Sequence, residues 1–400
     1  MEPHNIQALK DAYQEDLIRW RRDLHQIPEL GLELPQTSAY VKQVLTDLGL
    51  TYDDHYLQGN GLSVLIEGQK AGEASQKVMG LRADMDGLPI EEATGLAFAA
   101  SNHCMHACGH DGHTAILLTV AKFLQENRHL FAGKVKLIFQ PGEEYPGGAK
   151  PMIDQGVLES PQVTRLLGFH IGHLDPSIPA GKISYRVGPF MASMDRFSMT
   201  IRGRGYHGAY PENAHDPIIA ANHIISAIQT IKSRNLKATE PAVISVTHIE
   251  GGVNQNIIPD TVFLEGTVRT INFQQQQFIA QRLQEIGQGT ALMFDLDCQV
   301  QYDYKYPVLI NDQEATEETV AVLSNTLGSD QIVETQAPLM GGEDFAFYGQ
   351  VVPSCFLFLA NPGLIEGSFH GHHHPKFDLD ESQLIVAVQA FILATLDYLQ

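Results

Sequence analysis

The stretch Thr114 to Glu144, TAILLTVAKFLQENRHLFAGKVKLIFQPGEE, holds the two element types on which the fold reading turns. Residues 114–124 are apolar on more than one side, as a helix covered by several neighbours must be. Residues 135–139 make a short apolar strand that stops at Gln140-Pro141-Gly142. Upstream, residues 5–25 set Leu9, Ala12, Leu17, Trp20 and Leu24 among charges at helical spacing, and Ile27-Pro28 ends that run. Residues 37–48 repeat the helical pattern with Gly49 as the stop, while 62–66 and 78–82 read as strands. Downstream, 382–399 is a long apolar helix. Helices alternating with short apolar strands predict an α/β sandwich on a mostly parallel sheet.

The texture changes near Val187. Strands are expected at 198–202, 243–249, 262–270 and 296–302, with helices at 217–233 and 273–286. That order, strand–helix–strand–strand–helix–strand, is the ferredoxin-like split βαβ. The expected organisation is a discontinuous catalytic domain, 1–189 and 304–400, carrying an inserted α+β satellite domain at 190–303.

Composition narrows the function classes. With 26 Lys+Arg against 47 Asp+Glu, the 400 residues carry a formal net charge of −21. Nucleic acid and anionic membrane surfaces call for clustered cations, so neither is an expected partner. No apolar run approaches a membrane span, and the N-terminal stretch MEPHNIQALKDAYQEDLIRW lacks a secretory apolar core. A soluble, cytoplasmic protein is the expectation. Four cysteines do not make a disulfide scaffold. The histidines are more telling: four fall between His103 and His113, and four more between His370 and His374.

Cys108 and His110, two apart across Gly109, suit zinc and its first-row neighbours, because thiolate and imidazole are good ligands for them. Taken alone, Cys108 also fits a small buried apolar residue. Glu143 and Glu144 follow a strand's C-terminal end, where sites form in open α/β sheets. Adjacent carboxylates can divide metal-assisted hydrolysis, one holding an ion and one moving a proton. A solvated acidic loop is the plainer alternative. His170 ends an apolar run, and Asp84 and Asp86 leave a strand in positions suited to receiving a ligand histidine's other N–H or to a structural role.

RADMDGLPI, MHACGHDGHTA, FQPGEE, GFHIG, GYHGAYPENAHDPI, GGVNQNIIPD, GTVRT, MGGEDFAFY and HHHPKFDLDE occur in one order. Together they resemble the M20 metallopeptidase family, in the amidohydrolase branch of hippurate hydrolases, N-acyl-L-amino acid amidohydrolases, N-acetyldiaminopimelate deacetylases and auxin-conjugate hydrolases. The resemblance implies two divalent metal ions, Zn, Mn, Co or Ni. It implies Cys108, His110, Glu144, His170 and His373 as ligands, with His374 next in register for the last, and Glu143 as general base. Where the wider family often has a histidine, this chain has Asp84, and Cys108 would supply the missing donor. The resemblance further implies a homodimer through the satellite domain, with His207 holding the scissile carbonyl oxygen, often from the partner subunit. A turn role for His207 is the alternative. Asn256 and Arg269 are candidates for gripping a substrate carboxylate, although Arg269 could instead pair with Glu265, and Gly341 and Gly342 could bring backbone N–H groups to substrate. The implied reaction is hydrolysis of N-acyl-amino acids. A carboxypeptidase or dipeptidase acting on short peptides and a catalytically silent metal-binding regulator are the alternatives.

Overall fold

The helix expected over 114–124 begins earlier, at His110, and runs to Glu126. His110 and His113 therefore stand in its first turn rather than in the loop before it. Gly109 precedes the helix at φ 89, a left-handed conformation that costs a residue without Cβ little, and no side chain caps this N-terminus. Polar residues and Gly112 in the first turn broke the apolar signal, which is why the sequence reading placed the start late.

The computed structural model describes Pro3 and residues 5–400. Met1, Glu2 and His4, part of the charged N-terminal stretch, lie outside the described residues. The chain divides into two units: residues 1–190, 310–337 and 347–400 form the first, and 191–309 with 338–346 form the second.

In the first unit an eight-stranded sheet carries the core. Its four central strands lie in the order Lys134–Gln140, Val78–Asp84, Arg165–Gly172 and Ser354–Ala360, all parallel. The strand Leu62–Glu67 pairs antiparallel with Lys134–Gln140. Val78–Asp84 is buried along its whole length, as a central strand covered on both faces should be. Helix His110–Glu126 packs with helices Ile6–His25 and Leu384–Tyr398, and Ile116, Leu117 and Leu118 are 0–1% exposed. Burying each such side chain contributes about 1.5–3 kcal/mol. Parallel strands put their C-terminal ends on one edge, so Asp84, Gln140 and Gly172 end side by side.

The second unit is a four-stranded antiparallel sheet in the order Ala242–Gly251, Thr261–Thr270, Met194–Arg202, Asp297–Tyr306. By chain position that is second, third, first, fourth, the ferredoxin-like arrangement. Helices Pro217–Thr230 and Phe273–Met293 close over one face, with Ile224, Ile228, Ile279 and Leu283 buried beneath them. Asp216 and Asn272 cap these helices by accepting from the backbone N–H groups of Ile218 and Gln275. Segment 338–346, which includes Gly341 and Gly342, packs with this unit although the expected satellite boundary was 303.

Candidate metal and hydrolytic site

Every candidate carried by the first unit meets at the C-terminal edge of its parallel strands. The polypeptide leaves strand Val78–Asp84 through Met85 to Asp86, whose carboxylate is fully committed. Its Oδ1 accepts the backbone N–H of Glu143 at 3.0 Å, and its Oδ2 that of Glu144 at 3.0 Å. One buried carboxylate thus fixes the turn that presents both glutamates. Asp86 Oδ1 also lies 3.3 Å from His110 Nδ1, which leaves His110 Nε2 buried and without a hydrogen-bond partner. Burial raises the Asp86 carboxyl above its ordinary range despite the opposing pull of His110. Burial acts the same way on Asp84, but Arg82, His110 and His113 outweigh it and hold Asp84 well below the usual carboxylate range.

Tautomers follow from the main-chain partners. His170 Nδ1 sits 2.8 Å from the carbonyl of Ile171, an acceptor only, so Nδ1 carries the hydrogen. Its Nε2 lone pair points at Cys108 Sγ, 3.4 Å away. His113 Nε2 accepts the N–H of Ile171 at 2.9 Å, so its Nδ1 donates to Asp84 at 2.5 Å. Neither nitrogen of His113 is left for an ion.

Among the histidines near the C-terminus, His373 occupies the left-handed region at φ 61, uncommon for a residue with a side chain, and its N–H bonds the carbonyl of Ala107 at 2.8 Å. That backbone sets His373 Nε2 3.0 Å from Glu144 Oε1, close but out of line for a hydrogen bond. His374 turns away, its Nδ1 accepting the N–H of Lys376 and its ring stacked on His370 at 4.6 Å.

Within the first unit four overlapping groups have ligand atoms within 4.8 Å of one another: Cys108, His110 and His170; Asp84, His110 and His113; Cys108, Glu144 and His373; His110, Glu143 and Glu144. Thiol, imidazole and carboxylate groups around the unpartnered Nε2 of His110 form a donor set that fits first-row divalent ions. The electrostatics agree. Burial, Glu144 and Glu143 push the Cys108 thiol well above its ordinary value. Burial lowers His110, yet Asp84 and Asp86 reverse that and lift it to about 10. Neighbouring carboxylates contribute to both shifts.

Residues not anticipated from the sequence hold this cluster. Arg21, 1% exposed, donates to Asp111 at 2.9 Å, to Asp378 at 2.8 Å and to Glu381 at 3.2 Å. His25 Nδ1 lies 2.7 Å from Asp111, and its Nε2 3.2 Å from Glu92. The residue next to His110 is thereby tied to the first helix and to the segment following the histidine run. Only the excess of buried charge in an amphipathic helix could have flagged Arg21.

The remaining candidates lie in the second unit. His207 pairs with Ile257 in a two-stranded ribbon, and Gly208 N–H bonds the carbonyl of Asn256 at 2.7 Å, so His207 and Asn256 are neighbours and both exposed. His207 Nδ1 accepts the N–H of Ala209 at 3.1 Å, leaving Nε2–H as the outward donor. Arg269 stands elsewhere, on strand Thr261–Thr270, donating to Thr267 and to the carbonyl of Val268. Gly341 and Gly342 pack on Met191 and Met194.

Comparison with known proteins accords with this geometry. Residues 80–396 match peptidase family M20/M25/M40. The N-acetyl-L-cysteine deacetylase of Bacillus subtilis is 38% identical over 387 residues, covering 96% of this chain and 88% of its own. The N-acetyldiaminopimelate deacetylase of Bacillus subtilis is 36% identical, covering 94% of this chain and 96% of its own. A solved Bacillus subtilis structure, a dinuclear metal-binding peptidase of the M20 family, superposes with a TM-score of 0.81 at 33% identity over 97% of this chain and 98% of that one.

Proposed function

The chain belongs to peptidase family M20/M25/M40, and on that premise we propose that it hydrolyses the amide bond of N-acyl-L-amino acids, releasing a carboxylic acid and an amino acid. The observation that carries the reading is Asp86 gripping the backbone N–H groups of Glu143 and Glu144 beside the thiolate and imidazole donors. A structural metal site needs no second carboxylate held at that precision.

In this reading Cys108, His110, Glu144, His170 and His373 hold two divalent ions, Zn, Mn, Co or Ni. Bound there, the ions supply Lewis acidity to the attacking water and to the scissile carbonyl. Glu143 takes the proton that water loses as its oxygen joins the carbonyl carbon. As the C–N bond breaks, Glu143 returns that proton to the departing amine nitrogen. Asp86 keeps Glu143 in register through the main chain and orients His110 through Nδ1. Asp84 serves the same purpose one step out, through His113. His207 Nε2–H is the proposed donor to the developing oxyanion, and Asn256 and Arg269 the proposed grips on the substrate carboxylate, with Gly341 and Gly342 offering backbone N–H groups.

We assign catalysis to residues 1–189 and 304–400 and dimerisation to residues 190–303. Strand Ala242–Gly251 supports the dimer, because it is a sheet edge with open hydrogen-bonding groups that a second copy would satisfy. A cytoplasmic setting completes the proposal; no helix among the described residues is long and apolar enough to cross a membrane. The test is a substrate panel on metal-reconstituted protein. N-acetyl and N-benzoyl amino acids should be cleaved faster than unblocked dipeptides. Preference for the dipeptides would overturn the amidohydrolase reading in favour of a peptidase.

A further inference from the structure

His372 stands among the candidate ligands, yet its surroundings give it another task. Its ring occupies the space over Gly172, where φ is 129 and a Cβ would lie 2.2 Å from His372 Nε2. That Nε2 accepts the backbone N–H of His173 at 3.1 Å. A main-chain N–H only donates, so Nε2 is unprotonated and the hydrogen resides on Nδ1. Nδ1 lies 3.5 Å from Cys108 Sγ. The ring therefore aims an N–H at the sulfur and offers no lone pair to an ion. His170 meets the same sulfur in the opposite sense, with its Nε2 lone pair forward and its Nδ1–H spent on a carbonyl.

We propose that His372 is a positioning residue for Cys108: the main chain of His173 fixes its tautomer, and its Nδ1–H donates to the sulfur that holds the metal. The donation draws charge from the thiolate, orients it, and tunes the ion it binds, as outer hydrogen bonds to metal ligands do. It also distinguishes adjacent histidines chemically, His372 serving the sulfur and His373 facing Glu144. The proposal rests on the reading of Cys108 as a ligand.

Cobalt(II)-reconstituted protein supplies a readout independent of turnover, because a thiolate bound to cobalt gives a sulfur-to-metal charge-transfer band. Three variants separate donation from packing. His372→Leu fills much of the volume without a donor, His372→Ala is a second donorless side chain should Leu not fold, and His372→Asn sets an amide N–H near the Nδ1 position. The expected result is a band at longer wavelength and metal affinity lowered about 10–100-fold in Leu and Ala, with Asn close to wild type in both. If Leu matches wild type, or Asn departs as far as Ala, the donor role is overturned. Cys108→Ser should abolish the band. A wild-type cobalt protein without such a band would overturn the ligand reading of Cys108, and this proposal with it; a band insensitive to His372 overturns this proposal alone.

Discussion

The two units hold their candidate residues in opposite ways. In the first, His373 is half exposed, but the side chains around it are buried and tied twice: Asp86 to two backbone N–H groups and a histidine, His113 to Asp84 and Ile171, Asp111 to Arg21 and His25. In the second, His207 and Asn256 are exposed on a short ribbon, and the ties there are local. The contrast separates two demands. Donors around cations must be brought out of water and kept in place against their own repulsion, which takes second partners. A group that meets substrate must stay accessible. Stability and activity should thus be entangled in the first unit and separable in the second.

The largest effect tests catalysis within the tied cluster. Glu143→Gln keeps the shape and the main-chain bond to Asp86 but removes the basicity, so turnover should fall at least ~10²-fold with metal content unchanged. Activity within threefold of wild type, measured alongside metal analysis, would break the assignment. Next, Arg21→Met leaves Asp111 buried beside His25 without its guanidinium. Breaking such a pair costs about 3–5 kcal/mol, to be read from urea unfolding.

The same variant has a pH signature. Burial raises Asp111, but Arg21 and His25 outweigh it and hold its carboxyl below the ordinary range. Its contribution is present above the unfolded carboxylate pKa and lost as pH falls through the folded value. Without Arg21 the folded value rises, so the acid-unfolding midpoint should move to higher pH. His25 runs the other way. Burial lowers it, but Asp111 leads the groups that raise it above the imidazole norm, so its share is full below about pH 6.5 and fades as pH climbs.

In the second unit His207→Ala should lower turnover by about 10²–10³-fold, the cost of one lost oxyanion donor, while the melting temperature stays put. A fall in Tm comparable to that of Arg21→Met would break the contrast between the units. The smallest effect is the converse case. Asp216→Ala removes the cap of helix Pro217–Thr230 and should cost about 1 kcal/mol of stability with turnover preserved.

Much of this was legible in the residues, for reasons that also mark the limits. The start of strand Val78–Asp84 and the helix Leu384–Tyr398 announced themselves because burial on several sides demands apolar runs. The ferredoxin-like order came from alternating strands such as Thr261–Thr270, buried on every second residue. Cys108 stood out as a thiol beside a run of histidines, and Glu143 and Glu144 as paired carboxylates just past a strand's end. His372 and Arg21 did not, since their meaning lies in partners, the N–H of His173 and the carboxylates of Asp111, Asp378 and Glu381, that are distant in sequence or belong to the main chain. The role of a residue in a histidine run is set by tautomer, and composition carries no tautomer.

Arg21 donates to Asp378 and Glu381 as well as to Asp111, and the histidine facing Glu144 is His373. On the ribosome, where the N-terminus emerges first, residues 191–309 can complete their own sheet while the rest of the chain is still being made. The proposed metal cluster cannot. Its proposed ligands Cys108, His110, Glu144 and His170 precede His373, and the Arg21 ties to Asp378 and Glu381 form only once residues 373 to 381 have been synthesised. On the proposed ligand set, completion of the metal site is therefore expected among the last events of synthesis, and a ribosome stalled before residue 373 would carry a site still lacking its last proposed ligand.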